Sequence, residues 1–167
     1  MFGVYGLMRT ALGENNTFWA TGDLRMGDFT VRTRSDLQAI RDNKLDSPFE
    51  NIKKISDWTR FYKVINAACL FIEKAKEVVE KDPAYSEVNY TYDAAQVRVI
   101  RALAYFYMVR MWGDVPLITY SYDNGSFPKV ARTDAGIVLN YVISELREAA
   151  KLLPEQLGAT DRKSTRL

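Results

Sequence analysis

Apolar side chains return at helical spacing along most of the chain, and the breakers between the periodic runs predict four helices and one long aperiodic insert. The first helix keeps Phe2, Tyr5, Met8 and Leu12 on one face, with Gly13 following as a residue suited to a left-handed cap. A second is predicted from Trp58 to Lys81. In it Phe61, Val64, Ile65, Ala68, Ile72, Ala75 and Val79 face inward, Lys63, Glu73, Lys74 and Glu77 face outward, and Asp82-Pro83 ends the run. The third, Thr91 to Trp112, is apolar almost all round. Ala95, Val99, Ala102, Phe106 and Val109 line one side and Val97, Ile100, Ala104, Tyr107 and Met111 another, the pattern of a helix packed on both faces.

Gly113 and Pro116 stop this third helix and force an extended exit. Thr133 is placed to cap a fourth, whose core face is Val138, Tyr141, Val142, Leu146, Ala149 and Leu153 and which Pro154 closes. The predicted class is all-α, built from antiparallel helical pairs of the kind found in tetratricopeptide-like superhelices. Only Ala102 to Phe106 matches that repeat, as A-x3-F, and periodicity alone fits a plain helical bundle equally well.

Residues 14–57 interrupt the pattern, being rich in Gly, Asp, Asn, Thr and Arg, with one short helix around Asp36 to Arg41. Loops of this length are functional or disordered, and Phe18, Trp19 and Phe29 supply anchors that a disordered tail lacks. The insert therefore reads as an ordered binding or packing loop.

Composition narrows the chemistry. The chain has 167 residues, enough for one core, and a net charge of +2 from nearly balanced sums. Arg25, Arg32, Arg34 and Arg41 alternate with Asp23, Asp28, Asp36 and Asp42, so no basic stripe suited to nucleic acid is present. Histidine is absent, which removes the commonest general base and metal ligand. The single cysteine, Cys69, sits in an apolar helical run and reads as a buried structural thiol. No apolar run approaches the ~20 residues that span a bilayer. No cofactor, metal or catalytic residue is predicted; paired loop carboxylates such as Asp23 and Asp28 could in principle serve a glycosidase, but acids at arbitrary loop spacing are common.

The segment Arg101-Ala-Leu-Ala-Tyr-Phe-Tyr-Met-Val-Arg-Met-Trp-Gly-Asp-Val-Pro-Leu-Ile118 resembles the signature of the SusD/RagB family, an R-A-x-x-Y-F helix leading into W/Y-G-D-V-P-L. In the family's order come three more likenesses. Trp58 to Ala68 is similar to its W-x3-Y-x-x-I-x-x-A/N helix, Val130-Ala-Arg-Thr133 to its P-R-S/T helix entry, and Ser144 to Pro154 to its D-L-x-x-A-x-x-L-P close. Two departures stand out. Gln96-Val97 replaces the family's E-A pair, and Asp161 to Leu167 only begins the G-R-x-T/S-K-type start of a second half. The resemblance thus covers residues 58–154, with 14–57 as the insert, and implies one helical domain over 1–167 that is the amino-terminal part of a longer protein.

The resemblance implies a surface-exposed lipoprotein of the bacterial outer membrane, held there by a lipid anchor outside this chain. Such proteins sit over a TonB-dependent transporter and capture oligosaccharides, or peptides in RagB-like members, without catalysis. A helical-repeat module that binds protein or peptide but no carbohydrate is the alternative. A sugar needs a flat aromatic for its C–H face and Asp, Asn or Arg for its hydroxyls. Trp19, Asp23, Arg25, Asp28 and Arg32 supply both within one segment, which corresponds in position to the family's D-x-R-containing ligand loop. Tyr120, Tyr122, Asn124 and Phe127 form a second candidate patch. Arg98, Arg101, Trp58 and Trp112 read as structural.

Overall fold

The computed structural model describes residues 1–14, 17–46, 48–123 and 126–153. Its architecture is all-α. Helix α1 spans Phe2–Gly13; a single α-turn α2, Thr17–Trp19, runs into a π-helical turn, Ala20–Leu24; α3 is Ser35–Arg41, α4 Glu50–Ser56, α5 Thr59–Lys81, α6 Glu87–Trp112 and α7 Ala135–Leu152. An isolated antiparallel bridge joins Val115 to Thr133.

The three long helices form two antiparallel pairs that share α6. Phe61 meets Trp112, Cys69 meets Arg101, and Ile72 meets Tyr90, so α5 and α6 run in opposite directions. Tyr105 against Tyr141 and Arg101 against Glu145 show the same for α6 and α7. With α1 also against it, α6 buries Ala94, Ala95, Val97, Ile100, Ala102, Ala104, Tyr105 and Met108, which accounts for the nearly all-round apolar sequence. Leu103 and Phe106 remain outside, 38% and 37% exposed, so the expected inward place of Phe106 does not hold.

Helix ends show why several sequence boundaries move. Ser86 caps α6 by accepting from the Asn89 N–H, starting the helix at Glu87 and not at Thr91; the first turn points its apolar Val88 outward, 61% exposed, so it adds nothing to the inward stripe that a periodicity argument reads. Thr133 cannot cap α7, because its backbone exchanges hydrogen bonds with Val115; Asp134 does so, accepting from the Gly136 and Ile137 N–H groups. Gly113 ends α6 at φ 69° and ψ −121°, a conformation open to glycine alone, while Gly13 stays helical and Glu14 is the extended cap of α1. Pro154 lies outside the described residues.

Two faces are also reassigned. On α1 the buried stripe is Val4, Met8 and Ala11, while Phe2 is 84% exposed; the two stripes share Met8, and spacing alone does not choose between them. On α7 Leu146 is exposed and Glu145 buried. The cause is electrostatic. Glu145 accepts from both Nε and Nη2 of Arg101 and from Nη1 of Arg98 at 2.9 Å, so a buried cation on α6 draws an acid, and not a leucine, into the interface. Arg101 also donates to the sulfur of buried Cys69 at 3.2 Å.

The exit from α6 is strapped across the α5–α6 pair by side chains of the signature. The Tyr62 hydroxyl donates to the Pro116 carbonyl at 2.7 Å. Tyr105 donates to the Ile118 carbonyl at 2.8 Å and accepts from its N–H at 2.7 Å. Asn66 brackets the backbone of Tyr122, donating to its carbonyl and accepting from its N–H. Trp58 and Trp112 pack edge to face at 6.1 Å, and the Trp112 indole donates to the Ser56 carbonyl.

Residues 14–57, expected to be irregular but for one short helix, hold α2, the π-helical turn, α3 and α4. The foreseen helix is α3. The seven residues of α4 show only Ile52 and Ile55 as buried positions, too few to establish a period in sequence.

Candidate functional site

The insert has a core of its own: Ala20, Leu24, Ala39, Ile40, Ile52 and Ile55, against which Trp19, Val31, Leu37 and Met111 of α6 pack. Phe18 packs edge to face on Tyr107 of α6 at 5.9 Å. Arg60, at the start of α5, is buried and donates to the carbonyls of Ala11, Lys54, Ile55 and Asp57, tying the ends of α1 and α4 to the bundle. Sequence reasoning missed this residue. Its only signal is a cation beside a helix start, followed by apolar neighbours.

The five predicted ligand residues lie on the outer side of that core. Trp19 is half-buried and meets Phe29 edge to face at 5.5 Å, so its ring is a wall of the insert as well as a surface. Asp23, Arg25, Asp28 and Arg32 are all exposed. Arg25 donates to Oδ1 of Asn43 at 2.6 Å, and Asn43 itself closes α3 at φ 57°, a left-handed conformation that asparagine tolerates. Gly27 turns the chain at φ 91° after its N–H bonds the Leu24 carbonyl, separating Arg25 from the irregular, bent stretch that carries Asp28 and Arg32. No described contact brings Asp28 or Arg32 onto Trp19 or Arg25.

A depression of about 390 Å³ opens between the starts of α3 and α4, lined by Arg34, Ser35, Asp36, Phe49, Glu50 and Asn51 and by none of the five predicted residues. Asp36 organises it. The Arg34 guanidinium donates through Nε and Nη2 to the two oxygens of Asp36, at 3.0 and 2.5 Å, and Asn51 Nδ2 donates to Oδ2 at 2.9 Å, linking α3 to α4. Hydrogen bonding to Arg34, opposed by burial and helped by Asn51, brings the Asp36 carboxyl down to about 2. Phe49 is 38% exposed. Sequence reasoning passed over these residues because Phe49 stands alone, and Arg34 and Asp36 look like two more members of an alternating charge run.

In the second patch, Tyr122 and Phe127 pack edge to face at 5.7 Å, Phe127 also meets Tyr62 at 4.9 Å, and Arg132 lies over the Trp58 ring at 5.0 Å. Tyr120 and Phe127 are 49% and 47% exposed. Asn124 lies outside the described residues. Among the described residues no group of three or more acids or cysteines is placed to hold a metal ion, and no helix is long and apolar enough to cross a membrane.

Tetratricopeptide-like helical pairs bearing an ordered polar and aromatic insert define a helical-repeat scaffold, and comparisons with known proteins place it in one family. The model of the SusD-like family, described as starch-binding and associating with the outer membrane, matches residues 7–166, and the chain belongs to this SusD/RagB family. It is 30% identical to a SusD-like protein of Formosa agariphila, over 89% of this chain and 28% of that protein. It is 34% identical to a SusD-like protein of Bacteroides ovatus, over 59% of this chain and 18% of that one. A solved SusD superfamily protein of Bacteroides thetaiotaomicron superimposes with a TM-score of 0.92 at 62% identity, covering 95% of this chain and 35% of that one. A laminarin-binding SusD-like protein shares the fold at a TM-score of 0.67 and 22% identity, over 97% and 36%. The chain thus spans well under half the length of each relative.

Proposed function

We propose that this chain is part of a non-catalytic oligosaccharide-capturing protein of an outer-membrane uptake system, and that the insert is where the chain meets sugar. The observation that carries the reading is the membership in a starch-binding family together with an insert whose charged and aromatic side chains stand exposed on a buried core. A receptor for sugars needs flat rings and oriented polar groups held without ligand, and a rigid base under a polar surface supplies that at low entropic cost. In this reading Trp19, Asp23, Arg25, Asp28 and Arg32 are the contact residues, and the captured glycan passes to a TonB-dependent transporter beneath.

A soluble-glycan array probed with the whole chain, with helicity confirmed by circular dichroism in the same buffer, tests the reading. Binding to one glycan class, weakened by Trp19→Ala with Arg25→Ala, is the expected result. A folded chain that binds peptides and no glycan would replace this reading with a peptide-binding module. Unchanged glycan affinity in the double variant would remove those two residues from the site.

A further inference from the structure

The depression between α3 and α4 has three properties that are not explained by packing. Its aromatic, Phe49, is left partly bare beside polar groups instead of being drawn into the adjacent core of Ile40, Ile52 and Ile55. Its polar groups are oriented by one another: Asp36 holds both Arg34 and Asn51, so neither has to be ordered when a ligand arrives. Each also keeps unused hydrogen-bonding capacity. Arg34 engages Asp36 through Nε and Nη2 only, leaving Nη1 free to donate, and Asn51 retains its Oδ1 acceptor and a second N–H. The volume, about 390 Å³, falls within the range of small-ligand sites of roughly 300–1,000 Å³.

Charge narrows the ligand further. The Arg34 cation is neutralised by Asp36 in the same network. Glu50 lines the depression with a side chain 71% exposed, and its cationic neighbour Lys54 is 4.0 Å away. A uronate or sulfate would have to compete with Asp36 for Arg34 and approach Glu50, whereas hydroxyls need only the free N–H groups and the amide oxygen.

Resting on the oligosaccharide reading above, we propose that Phe49, Arg34 and Asn51, oriented by Asp36, form a subsite for one pyranose ring of a neutral glycan, and that this subsite selects against acidic sugars. Phe49 takes the apolar C–H face of the ring, and Arg34 and Asn51 bond adjacent hydroxyls. Asp36 is a positioning residue.

The test is an NMR titration of the whole chain with neutral hexasaccharides (maltohexaose, laminarihexaose, mannohexaose and xylohexaose) and with hexagalacturonate. At least one neutral probe should move the Asn51 side-chain amide and Arg34 Nε–H signals and outbind hexagalacturonate. Phe49→Ala should weaken that probe about tenfold, the scale of one lost ring contact, and Phe49→Tyr should restore it. Glu50→Gln, at an exposed position, should narrow the gap to hexagalacturonate. If a neutral probe binds but Phe49→Ala and Asn51→Ala both leave its affinity unchanged, the subsite is overturned while the oligosaccharide reading stands. Hexagalacturonate binding as tightly as the best neutral probe overturns the charge selectivity. No saccharide bound by a folded chain sinks the oligosaccharide reading, and the subsite with it.

Discussion

In the α5–α6–α7 bundle the charged side chains that matter are buried and paired; in the insert they stand at the surface around a small apolar core. Arg101, Glu145 and Arg60 are each less than a tenth exposed, and every one is held by named partners. Asp23, Arg25, Asp28, Arg32 and Arg34 are all exposed, and where they are held it is by a neighbour in the insert, as Asn43 holds Arg25. A buried ionic contact ties α6 to α7 at a desolvation cost. An exposed, oriented one leaves valences for a ligand. The same residue types therefore specify architecture in one region and are available for recognition in the other.

Breaking the ionic contact between α6 and α7 should have the largest effect. Glu145→Ala leaves the Arg101 guanidinium buried with no carboxylate partner, and removing one member of a buried pair costs about 3–5 kcal/mol. Urea denaturation should show that loss over the whole helical signal, with a much smaller loss for Glu145→Leu combined with Arg101→Met, where no charge of the pair remains. Equal losses in the two variants would mean that packing, and not charge, holds α7.

The converse test is confined to the insert. Ile52→Ala empties part of the core shared by α2, α3 and α4, and truncations of this kind cost about 2–4 kcal/mol. If the two regions are separate cooperative units, amide exchange should accelerate through residues 17–56 while α5 and α6 keep their protection. Arg60, Phe18, Met111 and Trp112 link the insert to the bundle and would defeat this expectation, and exchange rising everywhere together would show that they make the two regions one unit. Asp134→Ala is smaller still: it removes the α7 cap and should cost about 1 kcal/mol, seen as a modest drop in melting temperature and fraying of the first turn of α7.

The bundle was largely legible in the sequence and the insert was not, for a physical reason. Long helices packed on two sides repeat their apolar positions often enough for the period to be read, and α5, α6 and α7 extend over 23, 26 and 18 residues. Errors arose where a polar requirement overrode the period: Glu145 in place of Leu146, and Asp134 in place of Thr133. Short helices such as α4 depend on tertiary contact and announce themselves poorly. Among the candidate ligand residues the four charged ones stand exposed and Trp19 is half-buried, an arrangement open to a mixed polar loop with aromatic anchors that spacing alone does not specify. The Asp36 network was not legible, because it joins residues fifteen apart through a fold that sequence spacing does not reveal.

The smallest effect distinguishes the regions by pH. All ten tyrosines lie outside residues 14–57. Burial pushes the Tyr141 phenol up to about 12 and raises Tyr62 and Tyr105 further, so the bundle favours their neutral forms. A group whose folded value is raised gives stability that is whole below its ordinary value of 10.0 and is lost as pH climbs through the folded one. Asp36 has the opposite sign. Its contribution is present above 3.8 and disappears as pH falls through about 2, when the carboxyl that holds Arg34 and Asn51 takes up a proton. Glu73 of α5 shares the acid sign, lowered by its hydrogen bonds from Ser121, but it sits on the exposed rim of the bundle. Alkali should therefore act first on the bundle, read by tyrosinate absorbance rising together with loss of helix. Acid should loosen the insert first, read by amide exchange at α3 and α4 before α6. Asp57, at the end of α4, is also lowered, its burial outweighed by its hydrogen bonds with Thr59, so Asp36→Asn should shrink the acid step at α3 and leave the alkaline one untouched; an undiminished acid step at α3 would mean that Asp36 is not what holds α3 to α4.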